Sequence, residues 1–199
     1  TVADDSIFCL RASIGDMLSG FVSYVLLLRY TKYLCNNTKM FTIKQPSTIV
    51  FGMHSVCNYH LPKDSIVITS KGANSRGWLD YTKLNNCELF DNVESNPSIE
   101  TIQKILNEFS HSQASTIIGI GGGSSLDVAK FIAFKMKKKK ILIPTTFGSG
   151  SEVTRISVLK VDGKKQSFHD DSLMADVAII DPYFITNSPI DVINNSAID

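Results

Sequence analysis

The chain has no excess of charge: 20 Lys and Arg stand against 19 Asp and Glu, a formal net charge of +1. A field that weak argues against a dedicated nucleic-acid binder or a trap for acidic substrates. Cysteine is sparse. Cys9, Cys35, Cys57 and Cys87 lie far apart and form no C-x-x-C pair. They read as neither a zinc knuckle nor a secreted disulfide framework, so a reducing cytoplasm is the expected compartment. No apolar run reaches the ~20 residues that a membrane-spanning helix needs. Internal repeats are missing, and low-complexity sequence is limited to Lys137–Lys140. That run reads as the solvated, cationic end of a helix. What remains is ordinary globular composition, 43% apolar and 20% charged over 199 residues. Such a length allows one domain with an appendage, and it buries a sizeable core without staples.

The chain opens on Thr1 rather than Met, and Asp199 follows a run that reads as the start of a helix. A fragment of a longer protein is therefore expected. Met17–Leu28 is nearly all apolar (MLSGFVSYVLLL), but Asp4 and Asp5 sit where a signal peptide carries positive charge. A packed helix, a membrane-interface segment and translated upstream sequence stay open for this stretch. Residues 1–39 are read as a helical appendage with no assigned role, and no membrane association is expected.

From Phe41 onward, short β-branched runs alternate with helical stretches. Strands are predicted at Ser47–Phe51, Ser65–Thr69, Cys87–Phe90, Thr116–Ile120, Ile141–Pro144 and Val177–Ile180. Helical periodicity marks Ser98–Ser110 and Ser124–Lys137. Ile156–Lys160 and Gln166–His169 flank Asp162-Gly163, a hairpin signal. The alternation implies an α/β fold, a Rossmann-like parallel sheet with flanking helices and a β-hairpin.

Two motifs carry chemistry. In TIIGIGGGSSLDVAK, Thr116–Lys130, a buried strand runs into Gly119, Gly121, Gly122 and Gly123, and Ser124 reads as the N-cap of a helix. Glycines let the backbone approach a ligand, and a helix N-terminus behind them binds a pyrophosphate. Asp127, one turn in, receives hydroxyls or fixes the loop. The glycine turn comes after at least three strands, so the spacing is a variant of the usual dinucleotide fingerprint. In the second motif, PTTFGSGSEVT at Pro144–Thr154, a strand ends in a loop of hydroxyls and glycine. The two read as opposite walls of one cleft. His54, His60, His111 and His169 are scattered, with no i, i+4 pair, and read as exposed or internally satisfied. No catalytic side chain is assigned.

Together the motifs resemble the iron-dependent (group III) alcohol dehydrogenases. Gly121–Lys130 match the family's G-G-G-S-x-x-D-x-A-K throughout, and Pro144–Thr154 match P-T-T-x-G-T-G-S-E-V-T except at Ser149. Phe51-Gly52, Asn96-Pro97 and Val177–Pro182 extend the likeness from about Phe41 to Asp199. It does not reach residues 1–39.

The resemblance implies a nucleotide-binding domain over 40–182, and over 183–199 the start of a truncated all-helical, metal-binding domain. It implies an oxidoreductase using NADP or NAD and a divalent metal, Fe(II) or Zn, on a small aldehyde or alcohol, with homo-oligomers at full length. Carried over by position, Gly121, Gly122, Gly123, Ser124 and Asp127 hold the pyrophosphate. Thr145, Thr146 and Ser149 line the nicotinamide and ribose side. Asn96 and Lys165 contact the nucleotide, and Asp199 is the first metal ligand. The family's His ligands come later than Asp199. Ser70 stands where NAD-preferring members commonly have Asp, and with Lys71 and Gly72 it makes room for a 2′-phosphate. The alternative is that Ser70 merely caps the next turn. Lys165-Gln166-Ser167 is similar to phosphonoacetaldehyde reductases. Other readings are a glycerol dehydrogenase, a sugar-phosphate cyclase, or a nucleotide-binding module without turnover.

Overall fold

Eight strands in two sheets make up the frame of the described residues, 42–146 and 148–198 of a computed structural model. The appendage at 1–39 and the proposed metal ligand Asp199 lie outside those residues. Six strands are parallel: β1 (Thr48–Phe51), β2 (Ser65–Ile68), β3 (Glu88–Phe90), β4 (Thr116–Gly121), β5 (Lys139–Pro144) and β8 (Val177–Ile180). Their order is β1-β8-β5-β4-β2-β3. β6 (Ile156–Val161) and β7 (Lys164–His169) form a separate antiparallel hairpin.

The central strands β2 and β4 are buried along their whole length, which is why SIVI and TIIGI carry apolar residues on both sides. Ile66, Ile68, Ile117 and Leu142 face one core, with Ile102 and Ile105 of a helix at Ile99–Glu108 and with the helix Gly123–Met136. Val67, Ile118, Ile120, Ile141 and Ile143 face the other, with Val56, Trp78, Leu79 and Phe184. In chain order the helices are α1 (Ser55–Asn58), α2 (Lys71–Ser75), α3 (Trp78–Thr82), α4 (Ile99–Glu108), α5 (Gly123–Met136), α6 (Pro182–Thr186) and α7 (Ile190–Ile198). α4 starts at Ser98, whose hydroxyl accepts the Thr101 N–H at 3.3 Å. α5 packs closely on β4: a Cβ at Gly119 would lie 2.6 Å from the Ala129 Cβ.

Three local expectations are corrected. Ser124 is not the N-cap of α5. The helix begins one residue earlier, with Gly122 in extended backbone as its cap and no side-chain cap bond. The lysine run is not simply a solvated helix end. Lys137 closes α5 with φ 54°, and β5 already begins at Lys139. Lys140 is buried, and its N–H donates to Asp176 Oδ2 at 2.8 Å. The hairpin strands are longer than predicted, because Asp162 and Gly163 both take positive φ, 50° and 76°, and so form the tight turn that matches strand twist.

Strand order places the site. From β2 the chain moves outward to β3, and from β4 it moves the opposite way to β5. The reversal lies between β2 and β4, and crevices at such a point bind ligands at the carboxyl ends of the strands. The carboxyl end of β4 is the glycine turn, and that of β2 leads to Ser70. Among the described residues no helix is long and apolar enough to cross a membrane.

Candidate nucleotide site

β4 and β5 lie side by side in register, with Gly121 opposite Pro144, so both motifs leave the sheet at one point. The Thr145 N–H donates to the Gly121 carbonyl at 3.0 Å. Gly121 has φ 146°, a conformation L side chains rarely adopt, and a Cβ there would also meet Ser125. This turn delivers Gly122 and Gly123 against the second motif. A Cβ on Gly122 would approach Thr146 Oγ1 to 3.2 Å, and one on Gly123 would approach Ser149 Cβ to 3.1 Å. The two motifs therefore lie against each other at this strand end. Because no side chain caps α5, its first N–H groups stay available to an anion. Thr145 itself is buried, leaving Thr146 and Ser149 to face the glycines.

Asn96, Pro97, Gly123, Ser124, Asp127, Lys160 and Lys165 border one cavity of about 250 Å³. Asn96 takes φ 53°, and the Pro97 carbonyl accepts the Lys160 N–H at 2.8 Å, which pins the hairpin to this loop. Lys160 and Lys165 are directly opposed across the hairpin. Like charges so placed cost stability unless an anion lies near. Lys160 escaped sequence reasoning, although its alternation with Leu159 along β6 was available as a signal.

Asp127 does not sit where its oxygens could hold a phosphate. Oδ1 accepts the Ser151 hydroxyl at 2.6 Å and Oδ2 accepts the Val158 N–H at 3.0 Å. A carboxylate so engaged repels an anion and fixes the loop instead, so the pyrophosphate role is withdrawn from it. Its partner Lys130 was also missed as a site residue. Sequence carried no local sign of its burial, since an Asp and a Lys three residues apart are common on a solvated helix face.

At β2, Ser70 is the N-cap residue of α2 but makes no side-chain cap bond. Its carbonyl accepts the Ala73 N–H at 3.0 Å, while its hydroxyl is uncommitted. Gly72 does not leave open space: a Cβ there would lie 2.9 Å from the Arg76 guanidinium. Arg76, which lies 5.0 Å over the Trp78 ring, thus joins Ser70 and Lys71 at this strand end. Elsewhere, His54 is satisfied within the fold. Its N–H donates to the buried Asp181 at 2.9 Å, and its Nδ1 lies 2.9 Å from the Tyr81 hydroxyl. Burial raises the Tyr81 phenol above its ordinary range, and hydrogen bonding with Cys57 and Asp181 adds to this.

No group of three or more His, Cys, Asp or Glu side chains among the described residues comes together to hold a cation. The described residues therefore do not fit the metal that the resemblance implies, whereas the glycine crevice fits a nucleotide.

The six-stranded parallel sheet, its flanking helices and the glycine turn at the switch point define an α/β protein with a Rossmann-like fold. A family model for iron-containing alcohol dehydrogenases matches residues 46–182, and the chain belongs to that family. It is 37% identical over 132 residues to a long-chain-alcohol dehydrogenase of Geobacillus thermodenitrificans, covering 56% of this chain and 33% of that relative. An aldehyde-alcohol dehydrogenase of Entamoeba histolytica is 30% identical, over 93% of this chain and 26% of its own length. A 1,3-propanediol oxidoreductase structure superposes with a TM-score of 0.73 at 25% identity, covering 81% of this chain and 50% of that one. A sulfoacetaldehyde reductase from Bifidobacterium kashiwanohense, solved with NAD+, gives 0.68 at 25% identity, covering 77% and 49%. The chain thus spans about a third or less of these curated relatives and about half of these solved structures.

Proposed function

We propose that the chain is the nucleotide-binding half of a metal-dependent alcohol dehydrogenase working as an aldehyde reductase. The whole protein passes a hydride between NAD(P)H and a small aldehyde or alcohol. One observation carries the reading: the glycine turn and the Ser/Thr loop leave neighbouring strands and face each other, Gly122 against Thr146. Gly121, Gly122, Gly123 and Ser124 take the pyrophosphate, and Thr146 and Ser149, with Thr145 behind them, take the nicotinamide ribose. Asn96 and Lys165 border a cavity with Gly123 and Ser124. Residues 40–182 are the nucleotide domain, and 183–199 begin the helical one, with Asp199 as a metal ligand. The setting is cytoplasmic, the full-length protein is a homo-oligomer, and nucleic acid is not a partner.

NADP is the favoured nucleotide. Ser70 offers a free hydroxyl, and Lys71 and Arg76 bring two cations to the end of β2, neither in an ion pair among the described residues. Lys165-Gln166-Ser167 supports phosphonoacetaldehyde as a substrate, and the relatives' names span long-chain alcohols to sulfoacetaldehyde. A binding module without turnover is the second reading, favoured by the absence of an assembled cation site among the described residues.

Calorimetric titration of the chain with NADPH and NADH tests the proposal. Binding is expected with NADPH the tighter, and Ser70→Asp should reverse the order by roughly ten- to a hundredfold. If neither nucleotide binds, the functional reading fails. If both bind but Ser70→Asp leaves their ratio unchanged, only the NADP assignment fails.

A further inference from the structure

We infer that the buried Asp127–Lys130 pair is the positioning device that holds the glycine-turn helix and the 145–158 loop at the separation nucleotide binding requires. This rests on the nucleotide reading above and gives Lys130 a role that the motif alone does not. Lys130 is fully buried, and its ammonium has three donors to place. They go to Asp127 Oδ1 at 3.0 Å, the Ser151 carbonyl at 2.9 Å and the Ile156 carbonyl. Two of the three acceptors lie on the facing segment, at the 3-10 turn and at the start of β6, so the side chain spans from the helix to that segment. Asp127 reaches the same way, to the Ser151 hydroxyl and the Val158 N–H, while the Ser157 hydroxyl donates to the Asp127 carbonyl at 2.9 Å. Apart from the Asp127–Lys130 bond itself, all of these bonds run from one turn of α5 to residues 151–158.

The loop needs such a tie. Gly148 and Gly150 both take positive φ, and only a short 3-10 turn at Ser151–Val153 stiffens it. Ser151 also donates its N–H to Ser149 Oγ at 3.5 Å, and Ser149 faces Gly123 across the crevice. Displacing Ser151 therefore moves the crevice wall. Stability does not explain the pair. Sinking two charges is costly, and apolar replacements of similar volume are often as stable. The charged groups facing the ammonium are Asp127 from its own helix and Glu152 from the 3-10 turn. From β6 the ammonium meets the Ile156 carbonyl. Burial lowers the Lys130 pKa despite Asp127, and raises that of Glu152.

The test compares the full 199-residue chain with its Asp127→Asn/Lys130→Met double variant, which removes both charges of the pair and leaves Glu152 the one charged group of the cluster. Circular dichroism measures the melting temperature, calorimetry measures NADPH affinity, and hydrogen exchange without nucleotide reports the amides of 151–158. The double variant is expected to melt close to wild type, lose about tenfold or more in affinity, and exchange faster at 151–158. Wild-type affinity should also fall at alkaline pH as Lys130 loses its proton, a step absent from the double variant. Unchanged exchange at 151–158, or unchanged affinity, overturns the inference while the nucleotide reading stands. Affinity lost only in proportion to unfolded protein overturns it as well. Failure of wild type to bind NADPH or NADH overturns both.

Discussion

Gly119 and Gly122 belong to one motif yet should fail differently when given a side chain. At Gly119 the new atoms enter the contact between β4 and α5, so Gly119→Val is expected to cost ~1–3 kcal/mol of stability, read by urea denaturation. At Gly122 they enter the crevice beside Thr146, so Gly122→Val should leave the melting temperature near wild type while NADPH binding is lost. Glu152 gives a pH signature. Burial holds its folded pKa above the unfolded value of about 4.3. Its contribution is therefore present at acid pH and lost as pH rises through the folded pKa. Glu152→Gln should match wild type near pH 4 and melt higher at neutral pH, a difference that scanning calorimetry resolves.

At the scale of elements, the hairpin trades stability for charge. Replacing Lys160 and Lys165 with Ala should remove a cross-strand repulsion of ~0.2–1 kcal/mol and raise the melting temperature slightly. The same variant should bind NADPH more weakly, with a shallower dependence on KCl. An unchanged salt slope would remove the hairpin from the nucleotide site. The hairpin was legible in advance because Asp162-Gly163 meets a backbone requirement that few other pairs meet. The glycine turn and the Ser/Thr loop were legible for the same reason: their residues answer to local geometry. Lys130 was not. An Asp and a Lys three residues apart on a helix read as a solvated pair, and nothing local says that β6 and the 3-10 turn will close over them. Arg76 was hidden likewise, since Gly72 looks like open space until a side chain four residues on fills it. The uncapped start of α5 was misread because Ser124 is a good cap residue, while the ladder between β4 and β5 decides where the turn ends.

For the whole molecule, the frame that binds a nucleotide is expected to fall short of turnover. NADPH oxidation with simple aldehydes and added Fe(II) or Zn should not exceed background in the 199-residue chain, because the described residues assemble no cation site. A metal-dependent rate would show that the ligands lie within it. Ile49, Phe51 and Met53 are 40% or more exposed at the β1 edge. That strand has a further consequence, for the chain as it is made. Among the described residues β1 is hydrogen-bonded only to β8, and the Ser47 hydroxyl reaches the Asp176 carbonyl 129 residues later. At a synthesis rate of ~5–20 residues per second, β1 waits roughly 6–26 s on the ribosome before its partner exists. The other described strands can begin to pair meanwhile, so the first of them to be made is the last to join the sheet, and the nascent chain depends on whatever shields Ile49 and Phe51 until then.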